Sequence, residues 1–95
     1  MAGLEHENAS SSLDNLIEEL AAVEHERWSH WQRYVHSKCI PQPDGSLLIP
    51  AELVVRWEQQ IATSYGELGE KEKESDREQV RKYLPVIERA LAKRL

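Results

Sequence analysis

The sequence predicts a mainly α-helical domain of three helices, with a short β or turn element between the first helix and the second. Apolar residues recur at helical spacing along three segments. Gly or Pro occurs where these segments meet. We therefore expect a flexible segment over residues 1–11 and one compact three-helix domain over residues 12–95.

The first helix is predicted to end at Lys38, because no Gly or Pro interrupts the chain before Pro41. Its apolar stripe is expected to face the core, together with Trp57 of the second helix, since tryptophans at this spacing are usually core residues. The stripe contains Leu13, Ile17, Leu20, Ala21, Trp28, Trp31 and Val35.

Two prolines and Asp44-Gly45 predict a turn after the first helix. Ser46 to Ile49 is expected to be extended and could form a small hairpin with Cys39 and Ile40. Pro50 is expected to be the first residue of the second helix, because proline suits that position. The stripe of this helix contains Leu53, Val54, Trp57 and Ile61.

The third helix is predicted to follow Gly69, which suits an N-cap, and to begin with acidic residues that favour the positive helix end. Pro85 lacks an N–H and should kink or split this helix near Lys82. The stripe contains Val80, Tyr83, Leu84, Ile87 and Leu91.

The composition excludes several classes of protein. The 95 residues include 12 Lys and Arg against 17 Asp and Glu, a net charge of −5, which argues against binding to duplex nucleic acid. The single cysteine, Cys39, rules out a disulfide within the chain. No apolar run approaches the roughly 20 residues of a membrane span, and no secretion signal is visible. We therefore expect a cytoplasmic protein that binds no membrane.

The stretch EHERWSHWQR resembles a zinc-protease helix only superficially. Such a helix places two histidines four residues apart, whereas His25 and His30 are five apart. They point roughly 140° from each other and cannot share a metal from a regular helix. No nucleophile–base pair, phosphate-binding glycine loop or metal-ligand set is recognisable. We expect neither an enzyme nor a cofactor.

Polar residues interrupt the apolar stripes. Glu24 lies near the centre of the first stripe, where a carboxylate needs a partner, and Arg27 is three residues away. In one interpretation, pairs such as Glu24–Arg77, or Asp76 with Arg27 or His25, dock the helices. In another, these residues line a pocket with aromatic walls. The candidate ligand-binding residues are Glu24, His25, Arg27, Trp28, Trp57, Tyr65, Lys73, Asp76 and Arg77.

Two segments, LAAVEHERWSHW and ATSYGELGEKEKESDREQVRKYLPVI, resemble the ryanodine-receptor repeat, or RyR domain. The family pattern is L-A-x-x-x-H-E-x-W followed by Y-x-x-L-x-E-x-x-K and an acid–base dipeptide. The first half matches Leu20, Ala21, His25, Glu26 and Trp28. The second matches Tyr65, Leu68, Glu70 or Glu72, Lys73, Asp76 and Arg77. The Gly-Trp that the family usually carries between them is missing.

The resemblance implies a non-enzymatic helical domain with a small β element, of the type found alone in bacteria and phages. Such modules resemble sensors or interaction domains, and nucleotide-derived ligands have been proposed for them. Paired repeats in the calcium-release channels bind adenine nucleotides, so a homodimer would supply the second repeat here. We expect binding of a small, nucleotide-like anionic ligand. The alternative is a protein–protein interaction module, for example a phage protein that docks on a host factor.

Overall fold

A computed structural model describes the backbone of residues 2–94 and the side chains of residues 13–93. Its elements are α1 (Ala2–Lys38), β1 (Ile40–Pro41), β2 (Leu47–Leu48), α2 (Ala51–Ala62), α3 (Glu70–Arg81) and α4 (Leu84–Arg94), with a 3₁₀ turn at Tyr65–Glu67. The prediction of a mainly helical protein with a β element after the first helix is confirmed. Over these residues there are four α-helices, so the predicted number of three is wrong. The flexibility expected of residues 1–11 stays a prediction.

The structure divides into two units. The terminal unit contains residues 1–27 and 77–95, and the central unit contains residues 28–76. Helix α1 runs through both.

A hairpin, which the sequence analysis allowed, forms between α1 and α2, with Ile40–Pro41 rather than Cys39–Ile40 as its first strand. Ile40 pairs with Leu48 and Pro41 with Leu47 in antiparallel register. Gly45 takes φ +89°, a conformation that residues with a Cβ adopt only with strain. Asp44 holds the turn, because its Oδ1 accepts hydrogen bonds from the backbone N–H of Ser46 at 2.9 Å and from its hydroxyl at 2.6 Å. These bonds lower the pKa of the Asp44 carboxyl, the hydroxyl bond more than the backbone one.

Helices α2 and α3 begin close to their predicted starts. Pro50 is the N-cap of α2 rather than its first residue, and its carbonyl accepts the N–H groups of Leu53 and Val54 at 3.0 and 3.1 Å. The carbonyl of Gly69 accepts the N–H of Lys73 at 3.0 Å, as expected for the residue that precedes α3.

Pro85 accounts for the extra helix. Helix α3 ends at Arg81 and α4 begins at Leu84, so the predicted split near Lys82 is confirmed. Proline is tolerated in the first turn of a helix, where its missing N–H has no partner to lose. The Tyr83 carbonyl accepts the N–H groups of Val86 and Ile87, both at 3.1 Å, and so starts α4.

The predicted apolar stripes are largely exposed. Among the described side chains Val86 alone is buried, with 6 % of its surface exposed, and it was not among the predicted core residues. Trp28 and Trp31 are exposed and only Trp57 is half-buried, so the predicted tryptophan core is wrong for the first two. The better-covered face of α1 in the terminal unit contains Leu16, Leu20, Val23 and Arg27. Exposed members of the predicted stripes are Leu13, Ile17, Val54, Ile61, Val80, Leu84, Ile87 and Leu91.

Candidate functional site

Three polar side chains form a cluster in the terminal unit. The Nε of Arg27 donates to Oε2 of Glu24 at 2.9 Å, and its Nη2 donates to Oε1, which makes the pair bidentate. The hydroxyl of Tyr83 also donates to Oε2 of Glu24. Because Tyr83 lies in the break between α3 and α4, the carboxylate connects α1 to that break. The pairing of Glu24 with Arg27, predicted from their spacing, is confirmed.

The cluster holds Glu24 in its charged form. The Arg27 guanidinium, and after it the Tyr83 hydroxyl, lower the pKa of Glu24 from 4.5 to about 2. The hydrogen bond to Glu24 raises the pKa of Arg27. That carboxylate also raises the pKa of Tyr83, because it accepts a bond from the protonated phenol. A carboxylate this acidic is a poor general acid or base near neutral pH.

The carboxylate of Glu24 is open to water. Its side chain is 49 % exposed and that of Arg27 is 34 % exposed. The sequence left open whether Glu24 is buried, and the structure places it on a part of the stripe that is not covered. An ion pair so exposed contributes little to stability, since water and salt screen it.

Two predicted site residues meet in the central unit. The Nζ of Lys73 lies 5.8 Å from the centroid of the Tyr65 ring, within the range of a cation–π interaction. The same Nζ is 3.8 Å from Oε1 of Glu70. The Lys73 side chain is mostly covered, whereas Tyr65 is half exposed. A cation is thus held beside an accessible ring.

An aromatic cluster in the central unit contains a third predicted residue, Trp57. Its ring centroid is 6.0 Å from that of Trp31 on α1, and the two planes are tilted by 58°. Trp31 also stacks on Tyr34, with centroids 5.6 Å apart and an angle of 27°. The Nζ of Lys38 lies 5.6 Å from the centroid of the Tyr34 ring. These contacts lie along the last turns of α1 and leave Trp31 and Tyr34 partly exposed.

The hairpin carries four exposed aliphatic side chains, which we call the hairpin patch: Ile40, Leu47, Leu48 and Ile49. Leu48 is 54 % exposed, although each strand contains only two residues. A two-stranded hairpin of this length has little stability of its own. Ile40 and Leu48 are cross-strand partners, and Leu47 lies on the opposite face of the hairpin. Clusters of exposed apolar side chains are typical of surfaces that bind a partner.

An open pocket of about 470 Å³ lies elsewhere in the central unit, and the sequence did not predict it. Its wall combines one guanidinium, two carboxylates and two amides, so its charge favours no single class of ligand. None of the predicted site residues lines it. The lining residues are Arg56, Gln59, Gln60, Ala62, Thr63, Glu67, Leu68, Gly69 and Glu72.

The nine predicted site residues divide between the two units. Glu24, His25, Arg27 and Arg77 belong to the terminal unit, and Trp28, Trp57, Tyr65, Lys73 and Asp76 belong to the central unit. His25, Trp28 and Arg77 each take part in interactions as well. The residue that sequence reasoning missed is Tyr83, which had been assigned to an apolar stripe. Its hydroxyl, which needs a partner when the ring packs, was the available signal.

Among the described residues, no group of three or more His, Cys, Asp and Glu side chains could hold a metal ion. None of the helices in the described part of the chain has the length and hydropathy needed to cross a membrane.

The chain matches no model of a known protein family, and neither the curated proteins nor the solved structures include a significant match to it. The resemblance to the RyR domain therefore stays a prediction.

Proposed function

We propose that this chain is a non-enzymatic interaction module that binds another protein through the hairpin patch. The observation that carries the proposal is the exposure of Leu47, Leu48 and Ile49, the feature that distinguishes a protein-binding surface from a ligand pocket. Ile40 extends the same patch from the opposite strand. A partner that covered these side chains would remove four exposed apolar side chains from water.

The exposed apolar area favours a partner of substantial size. Full burial of a large aliphatic side chain is worth about 1.5–3 kcal/mol, and each residue of the hairpin patch has a third or more of its surface exposed. The described part of the chain buries one side chain, Val86, so its own core supplies little of this stabilisation. Association with a protein would supply the missing burial and stabilise the folded chain through mass action.

The proposal agrees with the resemblance to the RyR domain, whose small bacterial and phage members resemble interaction or sensor modules. The element order supports it, because a short hairpin lies between α1 and α2 as the resemblance implies. In this proposal the module acts in the cytoplasm of a bacterium, as a host or phage protein.

The test compares the proteins captured by the immobilised chain from a bacterial lysate with those captured by variants. We expect the double variant Leu48→Ser, Ile49→Ser to lose a specific partner that the wild-type chain retains. Val55→Ser is the matched control, because it removes a similarly exposed aliphatic side chain from α2. Equal capture by all three proteins, each shown to be folded by circular dichroism, would contradict a role for the hairpin patch.

A small anionic ligand is the second candidate, favoured by the contact between Lys73 and Tyr65. A half-exposed ring beside an ammonium group could stack on a base and neutralise a phosphate. Thermal unfolding against nucleotides, cyclic dinucleotides and ADP-ribose tests it. A binder at a hundredfold excess over its Kd stabilises the chain by about 2.7 kcal/mol. We expect Lys73→Gln to abolish that stabilisation, and a panel without any shift would rule this candidate out.

A further inference from the structure

The open pocket of the central unit is formed by three consecutive elements. It lies where the last turns of α2, the 3₁₀ turn and the first turn of α3 meet. Four of its lining residues have the i, i+3, i+4 and i+7 spacing of one helix face, which are Arg56, Gln59, Gln60 and Thr63. All the residues that line the pocket belong to the central unit, so the site is contained within that unit.

Hydrogen bonds of the connecting segment shape this pocket. The Thr63 hydroxyl donates to the carbonyl of Gln59 at 2.5 Å, and the Thr63 N–H donates to the carbonyl of Gln60 at 3.2 Å. The N–H of Leu68 donates to the carbonyl of Tyr65 at 3.1 Å and closes the 3₁₀ turn. The pocket therefore rests on hydrogen-bonded backbone, as ligand sites that are largely pre-formed do.

Opposite charges line the pocket without pairing with each other. Arg56 belongs to α2, Glu67 ends the 3₁₀ turn and Glu72 lies in the first turn of α3. Within residues 13–93, no ion pair or side-chain hydrogen bond joins any of these three to another residue. The side-chain amides of Gln59 and Gln60 likewise have no partner in that range. Five polar side chains thus converge on one pocket and keep their hydrogen-bonding groups available to a ligand.

A ligand that carries both signs of charge matches this wall better than an anion or a cation does. An anion would be repelled by Glu67 and Glu72, and a cation would be repelled by Arg56. A guanidinium binds a carboxylate through two parallel hydrogen bonds, whereas carboxylates accept the N–H groups of an ammonium ion. Ala62 and Leu68 give the wall an aliphatic part, which suits an apolar side chain on the ligand.

We propose that this pocket binds a dipeptide as its zwitterion, with the terminal carboxylate on Arg56 and the terminal ammonium held by Glu67 and Glu72. The separation of these charges favours a dipeptide over a free amino acid. Arg56 precedes Thr63 by seven residues, or about 10 Å along α2, and both glutamates follow Thr63. An extended dipeptide spans about 7 Å, and the three flexible side chains can reach its two ends. The pocket volume of about 470 Å³ is within the range of small-molecule sites.

The pocket shares no residue with the hairpin patch, so dipeptide binding does not depend on the proposed function. Titration of the full chain with alanylleucine, followed by NMR of the backbone amides, tests it. We expect the largest shifts within residues 56–72. N-acetyl-alanylleucine lacks the positive charge and alanylleucine amide lacks the negative charge, so each should bind at least about tenfold more weakly. Equal affinities for the three compounds would overturn the proposal. The absence of shifts at about 10 mM alanylleucine, well above a millimolar Kd, would also overturn it.

Variants assign each charge of the dipeptide to its partner. Arg56→Gln should weaken the binding of alanylleucine at least about tenfold and leave that of its amide unchanged, because the guanidinium contacts the carboxylate. Glu67→Gln, Glu72→Gln should lose affinity for alanylleucine but retain that for the acetylated form. Arg33→Gln and Glu58→Gln are the matched controls, since they remove exposed charges that do not line the pocket, and both should bind alanylleucine as the wild type does. An Arg56→Gln chain that still prefers alanylleucine to its amide as strongly as the wild type would contradict the proposed site.

Discussion

The hydroxyl of Tyr83 donates a hydrogen bond to the carboxylate of Glu24, a residue 59 positions earlier in the chain. Tyr83 can do so because α3 stops at Arg81 and α4 starts at Leu84, which places the tyrosine between two helices. Arg27 completes the cluster from one turn along α1. The contact joins the N-terminal and C-terminal parts of the sequence within the terminal unit.

The first prediction concerns the stability of the chain in acid. Glu24 has a pKa lowered to about 2 in the folded chain, against 4.5 for an isolated glutamate. The stabilisation from its negative charge is complete above pH 4.5 and is lost as the pH falls toward 2. We expect the stability difference between wild type and Glu24→Gln to shrink over this window, as measured by urea unfolding at several pH values.

Glu26→Gln is the control for the acid experiment, since it removes the same charge from the same helix two residues away. The difference in unfolding free energy between Glu26→Gln and the wild type should change little between pH 4.5 and pH 2. The corresponding difference for Glu24→Gln should change more. Parallel behaviour of the two variants would show that the cluster does not hold Glu24 ionised in solution.

The second prediction concerns the ionisation of Tyr83. Its pKa is raised mainly by the bond to Glu24, while Arg27 acts in the opposite direction. Glu24→Gln should therefore lower the pKa of Tyr83, and Arg27→Gln should raise it. NMR of chains with labelled tyrosine rings would measure both pKa changes. Shifts of the same sign in the two variants would be incompatible with the cluster.

The third prediction compares two valines in the C-terminal part of the chain. Val86 is 6 % exposed and Val80 is 57 % exposed. Val86→Ala should lower the free energy of unfolding by about 1–2 kcal/mol, through lost burial and the small cavity it leaves. The same change at Val80 should stay within about 0.5 kcal/mol. Chemical denaturation of both variants is the measurement, and equal losses would show that Val86 is not the buried residue.

The fourth prediction concerns the turn of the hairpin. Gly45→Ala should destabilise the chain by roughly 1 kcal/mol or more, because alanine is strained at φ +89°. An added Cβ would meet no atom within 4 Å there, so strain and not a clash is the cause. Gly66→Ala is the matched control, since that site is equally open and its φ is not positive. Thermal unfolding should separate the two variants by several degrees.

Local sequence features directly predict where the helices and the turn of the hairpin lie. The uninterrupted run before Pro41 predicts that the first helix continues to Lys38, Asp44-Gly45 predicts the turn after it, and Pro85 predicts the break after Arg81. Each of these features acts through the backbone of neighbouring residues, by removing an N–H or by allowing positive φ. Their effects can therefore be predicted without knowledge of the rest of the chain. Even the Glu24–Arg27 pair belongs to this class, because a helix brings residues three apart together.

Burial and long-range contacts were decided by the tertiary structure alone. The apolar stripes identified the sides of the helices that favour burial, but a stripe is buried only where another element covers it. Trp28, Trp31 and Ile17 remain exposed, whereas Val86 is covered without belonging to a predicted stripe. The hydrogen bond between Tyr83 and Glu24 likewise depends on how α1 and α4 pack, which helical periodicity does not encode. The sequence thus determined the helices, the hairpin and the local ion pair, and the packing of these elements determined which side chains meet and which stay available to a partner.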